Sequence, residues 1–134
     1  TGRYDMIENV IIADDSSTAR MIIKRCLEIA GCTDSQFHEA EDGVQALEIA
    51  KENEIDLLVT DLNMPSMDGK TLLRHVKASP MLTTIPVLVI SSASNEAVKE
   101  DLLKLGAFAV VNKPVSPASI ANAIQDIDEQ NQWG

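Results

Sequence analysis

The fold of this chain can be read from Val10-Ile11-Ile12-Ala13-Asp14-Asp15-Ser16-Ser17. Four apolar residues in an unbroken run are typical of a parallel β-strand that is buried on both faces. The run stops at two aspartates and two serines, which are residue types that begin helices. We expect Ser17 to cap a helix that follows at once, because a serine hydroxyl can accept a backbone N–H of the first turn. The segment therefore predicts a strand that leads directly into a helix.

The predicted helix carries an apolar stripe with a helical period. Its apolar residues recur at offsets 0, 3, 4, 7, 8 and 11 from Ala19, which places them on one face of an α-helix. Gly31 is in position to end the helix. The two cysteines of the chain, Cys26 and Cys32, have no Cys or His cluster around them. We therefore expect reduced thiols that pack in the core, as in an intracellular protein.

The same strand and helix unit recurs along the chain. Four further strand-like segments are each followed by a helical pattern, and they are Gln36 to Ala40, Leu57 to Thr60, Val87 to Ile90 and Ala109 to Asn112. Five strands that alternate with five helices predict an α/β fold, a doubly wound parallel sheet with helices on both faces. At 134 residues, a single domain is expected.

The charge balance restricts the partners of the protein. Lysine and arginine number 11 and aspartate and glutamate number 21, so the formal net charge is −10. This acidity argues against direct binding of nucleic acid through its phosphates and against an anionic membrane surface. It suits a partner with a basic patch, or a bound cation. No apolar run approaches the roughly 18 residues of a membrane helix, so no membrane insertion is expected.

Polar residues stand at the ends of four of the five predicted strands. Asp14 and Asp15 follow the first, Asp61 the third, Ser91 the fourth and Lys113 the fifth. Because the carboxyl ends of parallel strands meet at one edge of a sheet, where such folds bind ligands, we expect these side chains to lie together.

Electrostatics indicates what else such an edge must hold. Two carboxylates ~5 Å apart repel each other by roughly 3 kcal/mol at an effective dielectric constant of about 20, and Lys113 alone does not balance three of them. A divalent cation would do so, and oxygen ligands favour Mg²⁺ over Zn²⁺. A carboxylate in this setting can attack phosphorus and form an acyl phosphate. Lys113 and the cation would neutralise the phosphoryl group, and Ser91 could donate a hydrogen bond to it.

These residues resemble the receiver domain of two-component response regulators. Four motifs in the family's order carry the resemblance, and they are Asp14-Asp15, Asp61-Leu62-Asn63-Met64-Pro65 with Met67-Asp68-Gly69, Ser91-Ser92-Ala93 and Lys113-Pro114. The resemblance covers about residues 8 to 128, which we expect to form the receiver domain, with 129 to 134 as a frayed tail. It implies a flavodoxin-like (βα)5 fold with the strand order 2-1-3-4-5.

The resemblance also implies the metal site and the phosphoacceptor. Asp61 would take a phosphoryl group from a phosphohistidine of a sensor histidine kinase. Asp15, Asp61 and the backbone carbonyl of Asn63 would ligate Mg²⁺, and Asp14 would contact the ion mainly through water. We expect Asp68-Gly69 to form a turn, because glycine tolerates a positive φ.

Further roles follow from the same resemblance. Ser91 would be the switch hydroxyl that moves toward the phosphoryl group, and Lys113 would be the family's lysine, with a cis bond to Pro114. The family often has an aromatic residue where this chain has Val110. Signalling here would rest on Ser91 and loop movement, or the output surface would differ. Ala93 has no side chain that could reach an attacking water, so the dephosphorylation rate is not predicted.

The resemblance implies a cytoplasmic signalling switch and not an enzyme. Its partners would be a sensor histidine kinase or a phosphotransfer protein, and a downstream effector. The effector would bind the face of the fourth helix, fifth strand and fifth helix, near Lys99, Glu100, Lys104 and Val110. The protein would be a standalone chemotaxis-type or relay receiver, or else the receiver segment of a larger regulator or hybrid kinase.

Two functions of other classes fit the residues less well. A phosphatase with an aspartyl nucleophile would need a second aspartate two residues after Asp61 as general acid, and this chain has Asn63 there. A flavodoxin-like electron carrier would have to place a flavin phosphate beside Asp14 and Asp15, which repel it. Only 3% of the residues are aromatic, which leaves few rings to hold a flavin.

Overall fold

The computed structural model describes residues 6–92 and 95–133, and for residues 128–133 the backbone alone. Five strands alternate with five helices along the chain. The strands are β1 (Asn9–Ala13), β2 (Gln36–Ala40), β3 (Leu57–Asp61), β4 (Val87–Ser91) and β5 (Ala109–Asn112). The helices are α1 (Ser17–Ala30), α2 (Gly43–Glu52), α3 (Gly69–Ala78), α4 (Glu96–Lys104) and α5 (Pro117–Trp133).

The five strands form one parallel sheet in the order β2-β1-β3-β4-β5. From β1 the chain goes outward to β2 and then returns past β1 to β3. The strand order therefore reverses between β1 and β3, the place where folds of this kind bind ligands. Helices α1 and α5 cover one face of the sheet, and α2, α3 and α4 cover the other. The predicted fold class and strand order are confirmed.

The unbroken apolar strands supply two separate cores. Neighbouring residues of a strand point to opposite faces of the sheet. In β1, Val10 and Ile12 pack against the α1 and α5 side, while Ile11 and Ala13 pack against the side of α2, α3 and α4. All four are fully buried, so no polar side chain lies between Asn9 and the end of the strand.

Both cysteines are buried free thiols, as predicted. Cys26 and Cys32 lie in the core beneath α1 and α5. Burial raises the pKa of both thiols, that of Cys32 to about 11. The thiols therefore stay protonated at neutral pH and serve packing. Among the helices that the structure describes, none combines the length and the apolar character that crossing a membrane requires.

The beginning of α1 differs from the prediction by one residue. Ser16, and not Ser17, caps the helix, since its Oγ accepts the N–H of Ala19 at 3.2 Å. The Asp14 carboxylate accepts the N–H of Ser16 at 2.9 Å. This contact holds the turn at residues 14 to 16, so helical geometry begins at Ser17. Pro117 is the first residue of α5, where a proline is favoured because the first helical N–H needs no intrahelical partner.

Gly69 is required for a reason other than the predicted one. It is the first residue of α3, and the loop's positive φ falls instead on Ser66, at 65°. A Cβ at Gly69 would lie 2.2 Å from the backbone oxygen of Asp61. The glycine is therefore needed because α3 begins directly against the end of β3.

The last helix extends past residue 128, where the domain was expected to end. Its backbone remains helical as far as Trp133. The frayed tail expected at 129 to 134 remains a prediction, since the side chains of this segment and Gly134 lie outside the described residues.

The cap of α3 leads to a prediction about stability. The Asp68 carboxylate accepts the N–H of Thr71 at 2.8 Å, and this hydrogen bond holds the pKa of Asp68 below its ordinary value of 3.8. We expect Asp68→Ala to lower the free energy of unfolding by about 1 kcal/mol at neutral pH, as the loss of a cap does elsewhere. Urea denaturation measures the change.

The same variant should show a defined pH dependence. Because the folded-state pKa of Asp68 is depressed, its contribution is present above pH 3.8 and is lost as the pH falls through the folded value. The difference between wild type and Asp68→Ala should therefore shrink as the pH falls below 3.8. Asp68→Asn keeps an oxygen acceptor and serves as the control, with little loss at neutral pH. A difference that did not shrink at any pH below 3.8 at which the protein remains folded would contradict the charged cap.

Candidate functional site

The carboxyl edge of the sheet gathers the predicted site residues. Asp14 directly follows β1, Asp61 ends β3, Ser91 ends β4 and Lys113 directly follows β5. These strands are neighbours in the order β1-β3-β4-β5, so their ends lie side by side. Asp14, Asp61 and Ser91 are buried, whereas Asp15 is exposed. The structure thus brings together residues that are up to 99 positions apart in sequence.

The three carboxylates form a compact oxygen cluster. One oxygen each of Asp14, Asp15 and Asp61 lies within 4.8 Å of the others. The donors are oxygens alone, and the group mixes two buried acids with one exposed acid. Such a donor set suits a hard divalent cation that keeps some of its water, as Mg²⁺ does.

Asp14 has one carboxylate oxygen that is buried without a hydrogen bond. Its Oδ1 accepts the N–H of Ser16 at 2.9 Å, but its buried Oδ2 accepts no hydrogen bond. Burial, together with the negative charge of Asp61, raises the pKa of Asp14 against the effect of the Ser16 hydrogen bond. Buried polar atoms normally have a partner. The orphaned oxygen is therefore a position that a cation, or the water around it, would satisfy.

Lys113 is the cation that the chain itself supplies to the cluster. Its Nζ lies 3.0 Å from Oδ1 of Asp61 and 3.6 Å from Oδ2 of Asp14. Burial lowers the pKa of Lys113, but the hydrogen bond and charge of Asp61, with the charge of Asp14, outweigh it and raise the pKa. The ammonium therefore stays charged, and one positive charge faces three negative ones. The bond to Pro114 is cis, as predicted.

The other residues predicted to act at the site are Ser91, Asn63 and Ala93, and their surroundings differ. Ser91 is fully buried at the end of β4, and its backbone oxygen accepts the N–H of Lys113 at 3.0 Å. Its action as a switch hydroxyl stays a prediction. Asn63 is exposed in the loop that follows β3, and the ligand role of its carbonyl also stays a prediction. Ala93 lies outside the described residues.

The loop from β3 to α3 is fixed near both of its ends. Leu62 donates to the backbone oxygen of Ile90 at 3.0 Å, and Gly69 donates to that of Leu62 at 2.8 Å. Gly43, the first residue of α2, donates to the backbone oxygen of Met67 at 3.0 Å. A Cβ at Gly43 would lie 2.7 Å from Met67. The loop that carries Asn63 is therefore held between the sheet and α2.

Sequence reasoning missed Arg20, which reaches the site from α1. Its Nη1 donates to the backbone oxygen of Asp14 at 2.6 Å, and its Nε donates to Oε1 of Glu39 at 2.7 Å. Only 11% of its side chain is exposed. The one signal in the sequence is a charged residue next to Ala19, where the buried stripe of α1 begins. That signal does not indicate which groups Arg20 contacts.

The comparison with protein families decides the kind of domain. The response regulator receiver domain matches residues 10–125 of this chain. The chain belongs to that family. The chemotaxis protein CheY-3 of Vibrio cholerae is 34% identical over 121 residues, which are 90% of this chain and 92% of that protein. Family membership was predicted from the motifs and is confirmed.

Solved structures agree with this assignment. The chemotaxis response regulator CheY4 of Vibrio cholerae has a TM-score of 0.79 at 26% identity, with 90% of this chain and 98% of that one covered. The signal receiver domain of a histidine kinase from Syntrophus aciditrophicus has a TM-score of 0.78 at 28% identity, with 92% and 91% covered. The chain is therefore a signalling domain of the response regulator receiver family.

The predicted effector face contains an open groove. The groove measures about 760 Å³ and runs between α4, β5 and α5. Lys99 and Val110 line it, as does Leu103, whose residue surface is 40% exposed. Glu100 and Lys104 are exposed on the same helix, α4. Binding of an effector at this face stays a prediction.

The buried and only partly hydrogen-bonded Asp14 carboxylate predicts a gain in stability when its charge is removed. Because the folded-state pKa of Asp14 is raised above its ordinary 3.8, ionisation costs stability at neutral pH, and the cost is relieved as the pH falls through the folded value. Asp14→Asn should therefore raise the free energy of unfolding by about 1 kcal/mol at neutral pH, the scale of one unsatisfied buried group. The gain should vanish as the pH approaches 3.8.

Urea denaturation in the presence of a chelator measures this effect without divalent ions. Asp15→Asn makes the same chemical change at the adjacent exposed position and should gain less. A variant Asp14→Asn that is no more stable than wild type at neutral pH would contradict the electrostatic account of the cluster.

Proposed function

We propose that this receiver works as a phosphorylation switch of the chemotaxis type. Asp61 accepts a phosphoryl group, with Mg²⁺ bound, from the phosphohistidine of a sensor histidine kinase or a phosphotransfer protein. One observation carries the proposal. The Asp61 carboxylate lies at the sheet edge 3.0 Å from the Lys113 ammonium and within 4.8 Å of oxygens of Asp14 and Asp15.

The three acids have different places in the metal site. Asp15 and Asp61, with the backbone carbonyl of Asn63, would hold Mg²⁺, and Asp14 would act mainly through water. In support, Asp14 is buried, with one oxygen bonded to Ser16, whereas the Asp15 carboxylate is exposed. When bound, Mg²⁺ supplies positive charge that neutralises the oxygens of the phosphoryl group.

The covalent step takes place on the Asp61 side chain. A carboxylate oxygen attacks phosphorus while the bond from phosphorus to the histidine nitrogen breaks, and the electron pair of that bond stays on the imidazole. The product is an acyl phosphate. Lys113, already within hydrogen-bonding distance of Asp61, pairs with a phosphoryl oxygen and neutralises part of its charge.

The chain offers a short route from the phosphorylated site to the effector face. The Ser91 hydroxyl would donate to the phosphoryl group from the end of β4. The backbone of Ser91 is hydrogen-bonded to Lys113 at 3.0 Å, and Lys113 also lines the groove that contains Val110. Movement of Ser91 or Lys113 would therefore change the groove without an aromatic side chain at position 110.

The biological setting is proposed in two forms. A standalone receiver is supported by the likeness to CheY-3, of which this chain covers 92%. A receiver segment of a larger regulator or hybrid kinase is supported by the likeness to the receiver domain of a histidine kinase. In both forms we propose a cytoplasmic location, which the two free thiols support.

Phosphorylation by acetyl phosphate tests the phosphoacceptor. Wild type incubated with acetyl phosphate and Mg²⁺ should gain one phosphoryl group by mass spectrometry, with the adduct stable in acid and labile in base. Asp61→Asn should gain none, because an amide oxygen is a poor nucleophile toward phosphorus. Asp68→Asn makes the same acid-to-amide change at the end of the loop that follows β3, and this variant should be phosphorylated like wild type. A persistent adduct in Asp61→Asn would remove Asp61 from its role.

Metal titration tests the ligand assignment. Asp15→Ala should weaken Mg²⁺ binding more than Asp14→Ala does, since a direct ligand loses a metal–oxygen bond and an acid behind water loses only a hydrogen bond and charge. Isothermal titration calorimetry on wild type and both variants measures the dissociation constants. Equal losses, or a larger loss in Asp14→Ala, would contradict the assigned roles.

A further inference from the structure

We infer that Arg20 is a positioning residue for the metal site. Its guanidinium holds the peptide that joins Asp14 to Asp15 in the orientation in which Asp15 can ligate Mg²⁺. The inference rests on the proposed function, because it concerns the same metal site.

The contacts of Arg20 hold it in one orientation. Its Nη1 donates to the backbone oxygen of Asp14 at 2.6 Å, and its Nε donates to the Glu39 carboxylate at 2.7 Å. Two different nitrogens of one rigid, planar group are therefore engaged at once, which sets the plane of the guanidinium. Glu39 lies on β2 and is the register partner of Ile12 in β1. Arg20 thus joins α1 and β2 to the end of β1.

The contact at Asp14 bears on Asp15 through the peptide bond. The backbone oxygen of Asp14 and the N–H of Asp15 belong to one planar unit. Holding the oxygen therefore sets the direction in which the chain continues to Asp15. Two other groups of Asp14 are also hydrogen-bonded, since its N–H donates to the backbone oxygen of Ala40 at 3.0 Å and its Oδ1 accepts from Ser16 at 2.9 Å. Because the Asp15 side chain is exposed, its position depends on the backbone below it.

Arg20 is more buried than the arginine of an ordinary surface ion pair. Only 11% of its side chain is exposed, although its partner Glu39 is 55% exposed. Arg25, on the same helix, shows the surface case, with 73% of its side chain exposed and Glu28 at 4.0 Å. A desolvated guanidinium that donates to a backbone oxygen at the end of a strand has a fixed structural task.

Charge and geometry predict opposite effects of removing Arg20. A positive charge beside a cation site repels the cation, so its loss should tighten Mg²⁺ binding if charge is all that Arg20 contributes. Loss of a positioning contact should weaken Mg²⁺ binding, because the ligands are no longer held in place. The direction of the change therefore decides between the two accounts.

The test compares Arg20→Met with Arg25→Met, which makes the same chemical change at the exposed site. Isothermal titration with Mg²⁺ should show binding to Arg20→Met weakened by about tenfold, as is typical when a group that orients a metal ligand is lost. Arg25→Met should bind Mg²⁺ as wild type does or slightly more tightly. Unchanged or tighter binding in Arg20→Met would overturn the inference.

A second readout separates positioning from general damage. In Arg20→Met, the Mg²⁺ concentration that half-saturates phosphorylation by acetyl phosphate should rise, while the rate at saturating Mg²⁺ stays close to that of wild type. A fall in the saturated rate with no change in half-saturation would contradict a role in metal binding.

Arg20→Lys keeps the test decisive if Arg20→Met does not fold, which urea denaturation would reveal. Lysine retains the charge but cannot hold Asp14 and Glu39 with one rigid group. Weaker Mg²⁺ binding in Arg20→Lys then reports lost geometry alone, and unchanged binding overturns the inference.

The outcomes also separate this inference from the proposed function. Wild type that binds Mg²⁺ and is phosphorylated on Asp61, beside Arg20 variants with unchanged affinity, would refute the inference alone. Wild type that binds no Mg²⁺ would overturn both.

Discussion

Three carboxylates crowded at one edge of a parallel sheet are the constraint on which the rest of this structure depends. Asp14, Asp15 and Asp61 lie together, and Lys113 is within 4.0 Å of two of them. Their mutual repulsion disfavours the folded state, so the surrounding structure must hold them in place. A divalent cation bound among the three carboxylates would relieve this repulsion. The carboxylates that make this edge a candidate cation site therefore also lower the free energy of unfolding.

Every strand contributes to the support of that edge. Two of the acids follow β1 and the third ends β3. Ser91 ends β4 and Lys113 directly follows β5, and their backbones are joined by a hydrogen bond. β2 carries Glu39, which holds the guanidinium of Arg20 against the end of β1. The apolar residues below this edge form two cores of ordinary composition. The candidate site is thus one layer of polar residues at the edge of an apolar sheet.

Much of this could be predicted from the sequence, because the signals are local. The unbroken run Val10 to Ala13 indicates a strand buried on both faces, and the period from Ala19 onward indicates a helix. The acids at strand ends, together with the family motifs, name the candidate site. Features that depend on the path of the backbone were missed or misread. Ser16 is the cap because Asp14 holds the turn, and the contact of Arg20 joins three elements without leaving a pattern in the sequence.

The close approach of Gly69 to Asp61 has an evolutionary consequence. Every other encoded amino acid has a Cβ, so any missense change in this codon places an atom 2.2 Å from the backbone oxygen of Asp61. No other residue can replace Gly69 without this clash. A substitution could therefore be tolerated only if α3 also shifted away from the end of β3. Gly69 should therefore be inherited as strictly as the acid beside it, although its own atoms take no part in the chemistry.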